Sequence, residues 1–229
     1  MSIAEKLITI AENEANVYSA GEKAEWNAFW DALQQNGART DYGNCFRRWS
    51  DSMLKPKYNI TVKGNGALMF TSSTITNMKK LLEDCGVVLD LSGATSLGET
   101  FAYNTKLTRL PYLNLNSCTN ASYMASGCRA LCEIEGIHVG ATSQNWTGSF
   151  TGCTSLEKVI FSGTIVTNIG FPDSTKLSKA SMKSIVSCLS DSVSGKTVTF
   201  HSTAKVNAFT DEEWAALIAT KPNWTFSLV

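Results

Sequence analysis

The sequence predicts an α+β fold: an N-terminal helical segment, then an irregular repeat solenoid, then an α/β segment that closes it. Three observations predict it. A four-column motif recurs through the middle of the chain, apolar stripes of helical period fill residues 1–36, and residues 178–229 alternate helix and strand signals.

The motif reads as an anchor, a Cys or small polar residue three later, and apolar residues at plus six and plus nine. Phe101, Asn104, Leu107 and Leu110 form one copy; Ala125, Cys128, Leu131 and Ile134 the next; Phe150, Cys153, Leu156 and Val159 a third. A worn copy follows at Phe171, Ser174 and Leu177, and another is read before them at Leu82, Cys85, Val88 and Leu91. The anchors advance by about 19 to 25 residues, inside the range of leucine-rich repeats. A single repeat of this length cannot bury its own apolar face, so stacking should turn the columns into continuous core rows. The second column should satisfy backbone groups inside the turns. Leu113–Leu115, Ile137–Val139 and Val159–Phe161 should supply one strand per repeat.

In residues 1–36, Ser2 and Glu5 form a capping-box pair, and Ile3, Leu7 and Ile10 share a face. Beyond Gly21, the residues Trp26, Phe29, Trp30 and Leu33 sit at i, i+3, i+4 and i+7, and Gly37 supplies a stop. This aromatic stripe packs either on the rest of the chain or on identical helices of other subunits. Acidic residues dominate 1–35 and basic residues 36–57, a pairing suited to docking within or between chains. The segments Tyr58–Val62 and Ala67–Phe70 around Lys63-Gly64-Asn65-Gly66 read as a β-hairpin. A short helix over Thr76–Asp84 and a strand over Val87–Leu91 follow. After the repeats come a helix with Met182, Ile185, Val186 and Leu189 on one stripe, a strand at Thr197–His201, a helix capped by Thr210 with Glu213, and a strand at Trp224–Leu228. The predicted divisions are therefore 1–57, a helical attachment or oligomerisation module; 58–177, the repeat solenoid preceded by its hairpin; and 178–229, an α/β cap.

Twenty acidic and twenty basic residues balance, so no global field draws nucleic acid or an anionic membrane. No apolar run reaches the ~18 residues of a membrane span, and the first residues lack the pattern of a signal peptide. Seven cysteines, three of them in the repeat column, read as structural free thiols of a chain made in a reducing cytosol. Cys128 and Cys132 have C-x3-C spacing without a second pair or a nearby His, so no metal and no cofactor is expected. His138 and His201 fall in separate predicted strands, and no nucleophile elbow, zinc helix or phosphate loop occurs. Catalytic residues are therefore not assigned. Repeats build a surface, and Tyr103, Tyr112, Tyr123 and Trp146, in or beside the inter-repeat turns, are the candidate binding residues.

Three regions together show a resemblance. The repeats resemble the BspA-type leucine-rich repeats of bacterial surface proteins and of gut-phage and prophage proteins. The stretch Ile3-Ala4-Glu5-Lys6-Leu7 through Gln35-Asn36-Gly37, with Lys55-Pro56-Lys57-Tyr58-Asn59-Ile60, is similar to leader segments of phage structural proteins from Firmicutes. The stretch from Thr210-Asp211-Glu212-Glu213 to Asn223-Trp224-Thr225 resembles the ending of the same group. The anchor lost at Ala125 and the loose pattern after Phe161 depart from it. The resemblance implies a virion structural protein of tail or fibre type, made in the host cytoplasm. Its N-terminal helices, with Trp26, Phe29, Trp30 and Leu33, would attach it to other virion proteins or join it to itself as a homo-oligomer, a trimer being one option. Its repeats would bind a host-surface protein or glycan, or decorate the particle. The alternative is a bacterial repeat protein serving as scaffold or adhesin.

Overall fold

The computed structural model describes residues 39–43, 45–47, 49, 56, 58–140 and 144–229, together with Ala28. Hydrogen bonding between stacked turns organises this part of the chain. In the turn 66–73, the amides of Leu68, Phe70 and Ser72 donate to the carbonyls of Gly98, Thr100 and Ala102 in the next turn. Those of Glu99, Phe101 and Tyr103 reach Ser122, Met124 and Ser126, and those of Tyr123, Ala125 and Gly127 reach Thr147, Ser149 and Thr151. Intervening amides turn back three residues, as from Met69 to Gly66 and from Thr71 to Leu68. Alternate donors thus serve the layer above and the turn itself, which satisfies buried backbone without a long strand.

The anchor row runs through the middle of these turns. Phe70, Phe101, Ala125, Phe150 and Phe171 are fully buried. Phe46 stacks on Phe70 with centroids 5.1 Å apart, Phe70 on Phe101 at 5.6 Å, Phe150 on Phe171 at 4.6 Å and Phe171 on Phe200 at 6.1 Å. Each such pair adds roughly 0.5–1.5 kcal/mol to the burial of its rings. The row therefore begins at Phe46 and Phe70. The copy read at Leu82 and Cys85 is not one: both lie in a helix, and Val88 is exposed.

The polar column binds backbone as expected. The Asn104 amide donates to the carbonyls of Phe70 and Phe101 at 2.9 and 2.8 Å. The Cys128 thiol donates to Phe101 at 2.9 Å, Cys153 to Ala125 at 3.2 Å and the Ser174 hydroxyl to Cys153 at 3.2 Å. None of the cysteines forms a disulfide among the described residues. Burial pushes the Cys128 thiol up to about 12 and holds Cys153 well above its usual range. Since the thiolate is the nucleophile, iodoacetamide at pH 8 should leave Cys128 and Cys153 unmodified in the folded protein and label them fully in denaturant. Peptide mass mapping reads this, and rapid native labelling of either would refute it.

The strands are β1 (Arg39–Asp41), β2 (Ile60–Asn65), β3 (Leu89–Ser96), β4 (Arg109–Leu115), β5 (Glu133–Val139), β6 (Lys158–Gly163), β7 (Ile169–Phe171), β8 (Lys196–Phe200) and β9 (Trp224–Leu228). The helices are α1 (Met78–Cys85), α2 (Lys179–Cys188), α3 (Ser202–Ala208) and α4 (Asp211–Ile218). All named pairings are parallel, and they form three separate three-stranded sheets, β1-β2-β3, β4-β5-β6 and β7-β8-β9. This corrects the expected fold class. The described chain is mostly small parallel sheets with few helices, and the strands do not join into one repeat solenoid.

The interruptions have local causes. Asn77 and Ser178 follow the stacked turns at the positions where β4 to β6 begin in the other layers, but each caps a helix, accepting from the amides of Lys80 and Ser181. At the free edge of β6, α2 lies in place of a strand: the amides of Val159 and Phe161 donate to the hydroxyls of Ser181 and Ser184 at 3.0 and 3.2 Å. β4 is an edge strand, as befits Pro111, which has no amide hydrogen to offer. Outside the three sheets the described residues form isolated parallel bridges, Asn77 to Arg109, Ser96 to Asn120, Asn120 to Asn145 and Ile165 to Leu189.

The hairpin is also corrected. β2 pairs with β1 and β3, both parallel, and 66–73 bonds forward to the next turn. The helical module of 1–57, including Trp26, Phe29, Trp30 and Leu33, falls outside the described residues, apart from Ala28 and residues 39–43, 45–47, 49 and 56. Tyr42, Cys45, Phe46 and Trp49 belong to the common core, so the packed unit reaches back beyond Tyr58. In the C-terminal part, α2 buries Met182, Ile185 and Val186, and α4 carries the Thr210–Glu213 capping box. Helix α3, which had no sequence reading, is capped by His201, whose Nδ1 accepts from Thr203 at 3.0 Å.

Candidate binding surface

Three of the four candidate aromatics stand on the surface. Tyr103 is 57% exposed, Tyr112 47% and Tyr123 46%. Each leans on a glycine one layer further on. A Cβ on Gly127 would lie 3.0 Å from the Tyr103 ring, one on Gly136 3.0 Å from Tyr112, and one on Gly148 2.5 Å from Tyr123. Only a residue without Cβ leaves room for these rings to lie down. Tyr103 and Tyr123 have φ of 60° and 54°, a left-handed backbone that costs a non-glycine residue roughly 1–2 kcal/mol. Their amide bonds to Ser126 and Thr147, at 2.7 and 2.8 Å, hold that conformation. Trp146 differs. It is 3% exposed, stacked on Phe150 at 6.2 Å, and belongs to the core.

Of the three exposed tyrosines, Tyr112 lines a cleft. Between α1, β3 and β4 lies a hollow of about 700 Å³, walled by Asn59, Thr61, Lys79, Glu83, Val88, Asp90, Pro111, Tyr112, Asn114 and Glu135 among others. Lys79 bonds to Glu135 at 3.0 Å and lies 3.9 Å from Glu83, and the Glu135 bond holds its ammonium above the usual range. Glu135 also accepts from the Tyr112 amide at 3.2 Å. Two amides have their oxygens engaged by backbone: Asn59 accepts from Val88 at 2.9 Å and Asn114 from Asn116 at 3.1 Å. On the same sheet, Glu133 bridges Lys158 at 2.7 Å and Arg109 at 3.4 Å, and the bond to Lys158 lowers its carboxyl. His138 Nδ1 lies 3.0 Å from the Ser162 hydroxyl.

A second hollow of about 590 Å³ runs past Thr119, Asn145, Thr147, Thr167, Lys196 and Thr199, with Trp146 at its wall. Among the described residues no three His, Cys, Asp or Glu side chains gather as a metal site would need, and no helix is long and apolar enough to cross a membrane.

The polar partners of Tyr112 carried no signal in sequence reading, because α1 and β3 bring them there from far along the chain. One signal was available: each exposed tyrosine has a glycine one repeat later. No family model matches the chain, and neither a curated protein nor a solved structure shows significant similarity to it.

Proposed function

We propose that this chain is a non-enzymatic recognition protein of a phage virion, attached or oligomerised through residues 1–57 and presenting its stacked layers to a host surface. The observation that carries the recognition part is the set of exposed tyrosines, each laid on a glycine of the next layer. Aromatic rings that are already immobilised lose little entropy on binding, and such residues dominate recognition surfaces. The virion part rests on the similarity of the leader and ending to phage structural proteins. Self-association through Trp26, Phe29, Trp30 and Leu33 belongs to the same proposal.

Labelled full-length protein should bind Firmicute cells, and the triple variant Tyr103→Ala/Tyr112→Ala/Tyr123→Ala should bind at least tenfold more weakly while unfolding at an unchanged urea midpoint. Full-length protein that binds no cell would defeat the recognition reading. Light scattering after size exclusion should show a defined oligomer, and a monomer would remove the role given to the aromatic helix.

A further inference from the structure

We infer that the cleft beside Tyr112 is a subsite for a neutral pyranose sugar, the ring of Tyr112 stacking on the sugar's C–H face. The inference rests on the recognition reading above and names its ligand class. Tyr112 leans on Gly136 from one side and lines the cleft, with a hydroxyl that no group among the described residues engages. A half-exposed aromatic plane of this kind suits a ligand with one apolar face and many hydroxyls.

The groups around it have matching chemistry. The side-chain oxygens of Asn59 and Asn114 each accept a backbone amide, which turns their NH2 groups away from that backbone as donors. Asp90 accepts from the Ser92 amide at 3.0 Å through one oxygen, leaving the second as an acceptor. Thr61 contributes a hydroxyl. Vicinal hydroxyls both donate and accept, so paired amide donors and a carboxylate beside an aromatic plane can meet two of them at once.

Charge narrows the class. Lining the cleft are Glu83, Asp90 and Glu135 against the single cation Lys79, which is already bonded to Glu135. An anionic ligand, whether a phosphate-bearing polymer or an acidic sugar, would meet a surplus of carboxylates at short range. A cationic ligand fits that surplus but makes no use of the two amide donors. A neutral sugar uses the aromatic plane, both amide donors and the second Asp90 oxygen. The volume of about 700 Å³ accommodates one or two pyranose rings.

Saturation-transfer difference NMR on the full chain tests this with glucose, galactose, N-acetylglucosamine and rhamnose, each at millimolar concentration. At least one should receive saturation on its ring protons. The signal should vanish in Tyr112→Ala, persist in Tyr112→Phe, fall at least fivefold in Asn114→Ala, and stay unchanged in Val206→Ala, an exposed position of α3 outside the cleft. Transfer to none of the four, or transfer that survives Tyr112→Ala, overturns the assignment. So does a cleft that takes Nα-acetyl-lysine amide in preference to the sugars. Cell binding retained by Tyr112→Ala, with no sugar bound, would sink the subsite while leaving the recognition reading intact; loss of cell binding in the unaltered protein strikes that reading instead.

Discussion

Gly163→Ala should destabilise the protein by about 3 kcal/mol or more, a large share of the ~5–15 kcal/mol that holds a domain folded. Gly163 ends β6 with φ of 86°, and a Cβ there would lie 1.9 Å from the carbonyl oxygen of Val139, its register partner on β5. That oxygen also accepts the Thr164 amide at 3.1 Å, so it cannot simply swing aside. A methyl group must push the two strands apart where β6 is already an edge. The left-handed backbone itself accounts for roughly 1–2 kcal/mol, and the enforced shift of packed backbone adds a further ~1–3 kcal/mol. Gly195→Ala separates the two contributions. Gly195 has φ of 65° and nothing within 4 Å of its would-be Cβ, so it should cost only the backbone term. Urea unfolding of both variants reads the difference. Equal midpoints would show that the Val139 carbonyl yields freely and that the β5–β6 pairing is not a fixed point of the fold.

The same reliance on close backbone approach explains which features could be read from residues alone. The row Phe101, Ala125, Phe150 and Phe171 and the column Asn104, Cys128, Cys153 and Ser174 were legible because regular spacing delivers them to equivalent places. Local signals were legible too: the Thr210–Glu213 capping box and the strand Trp224–Leu228 depend only on neighbours in sequence. Lys63-Gly64-Asn65-Gly66 misled because it is a good hairpin turn locally, yet the amides of Leu68, Phe70 and Ser72 find their acceptors in the next turn, beyond α1. The insertion of α1 also lengthens the step from Phe70 to Phe101, so a fixed period places the first copy on Leu82, inside the helix. The division into three sheets was not legible. It depends on helices α1 and α2 displacing strands, and on serine hydroxyls of α2 substituting for a strand edge.

Trp146 and Tyr112 show the limit for the binding surface. Both are aromatic residues in or near turns. What separates them is the neighbouring layer: Tyr112 meets Gly136 and stays outside, whereas Trp146 finds Phe150 and Phe161 and turns inward. Gly136 lies 24 residues from Tyr112 and Phe161 lies 15 from Trp146, so the nearby Phe150 alone could have warned that Trp146 turns inward.

Phe150→Ala should cost about 3–5 kcal/mol, the range for removing a buried phenyl ring that leaves a void. Phe150 is fully buried and contacts three rings: Phe171 stacked at 4.6 Å, Trp146 stacked at 6.2 Å and Phe161 edge-on at 6.4 Å. On its other side the anchor row narrows to Ala125, whose amide donates to Ser149 at 2.9 Å. The void would therefore open where the row is already thinnest, with large rings on the far side that cannot collapse into it without unstacking from Phe200. Phe101→Ala should cost less, because among the described residues Phe101 shares its stack with Phe70 alone. The layered geometry allows a rescue. Ala125→Leu on its own should destabilise the protein by about 1–3 kcal/mol through overpacking, but combined with Phe150→Ala it should recover at least ~1 kcal/mol, since the new side chain enters the vacated space. Thermal and urea unfolding of the two single variants and the double variant measure this coupling. Strict additivity would mean that positions 125 and 150 do not face a common space, and the continuous anchor row inferred from the sequence and the ring contacts would have to be broken at Ala125.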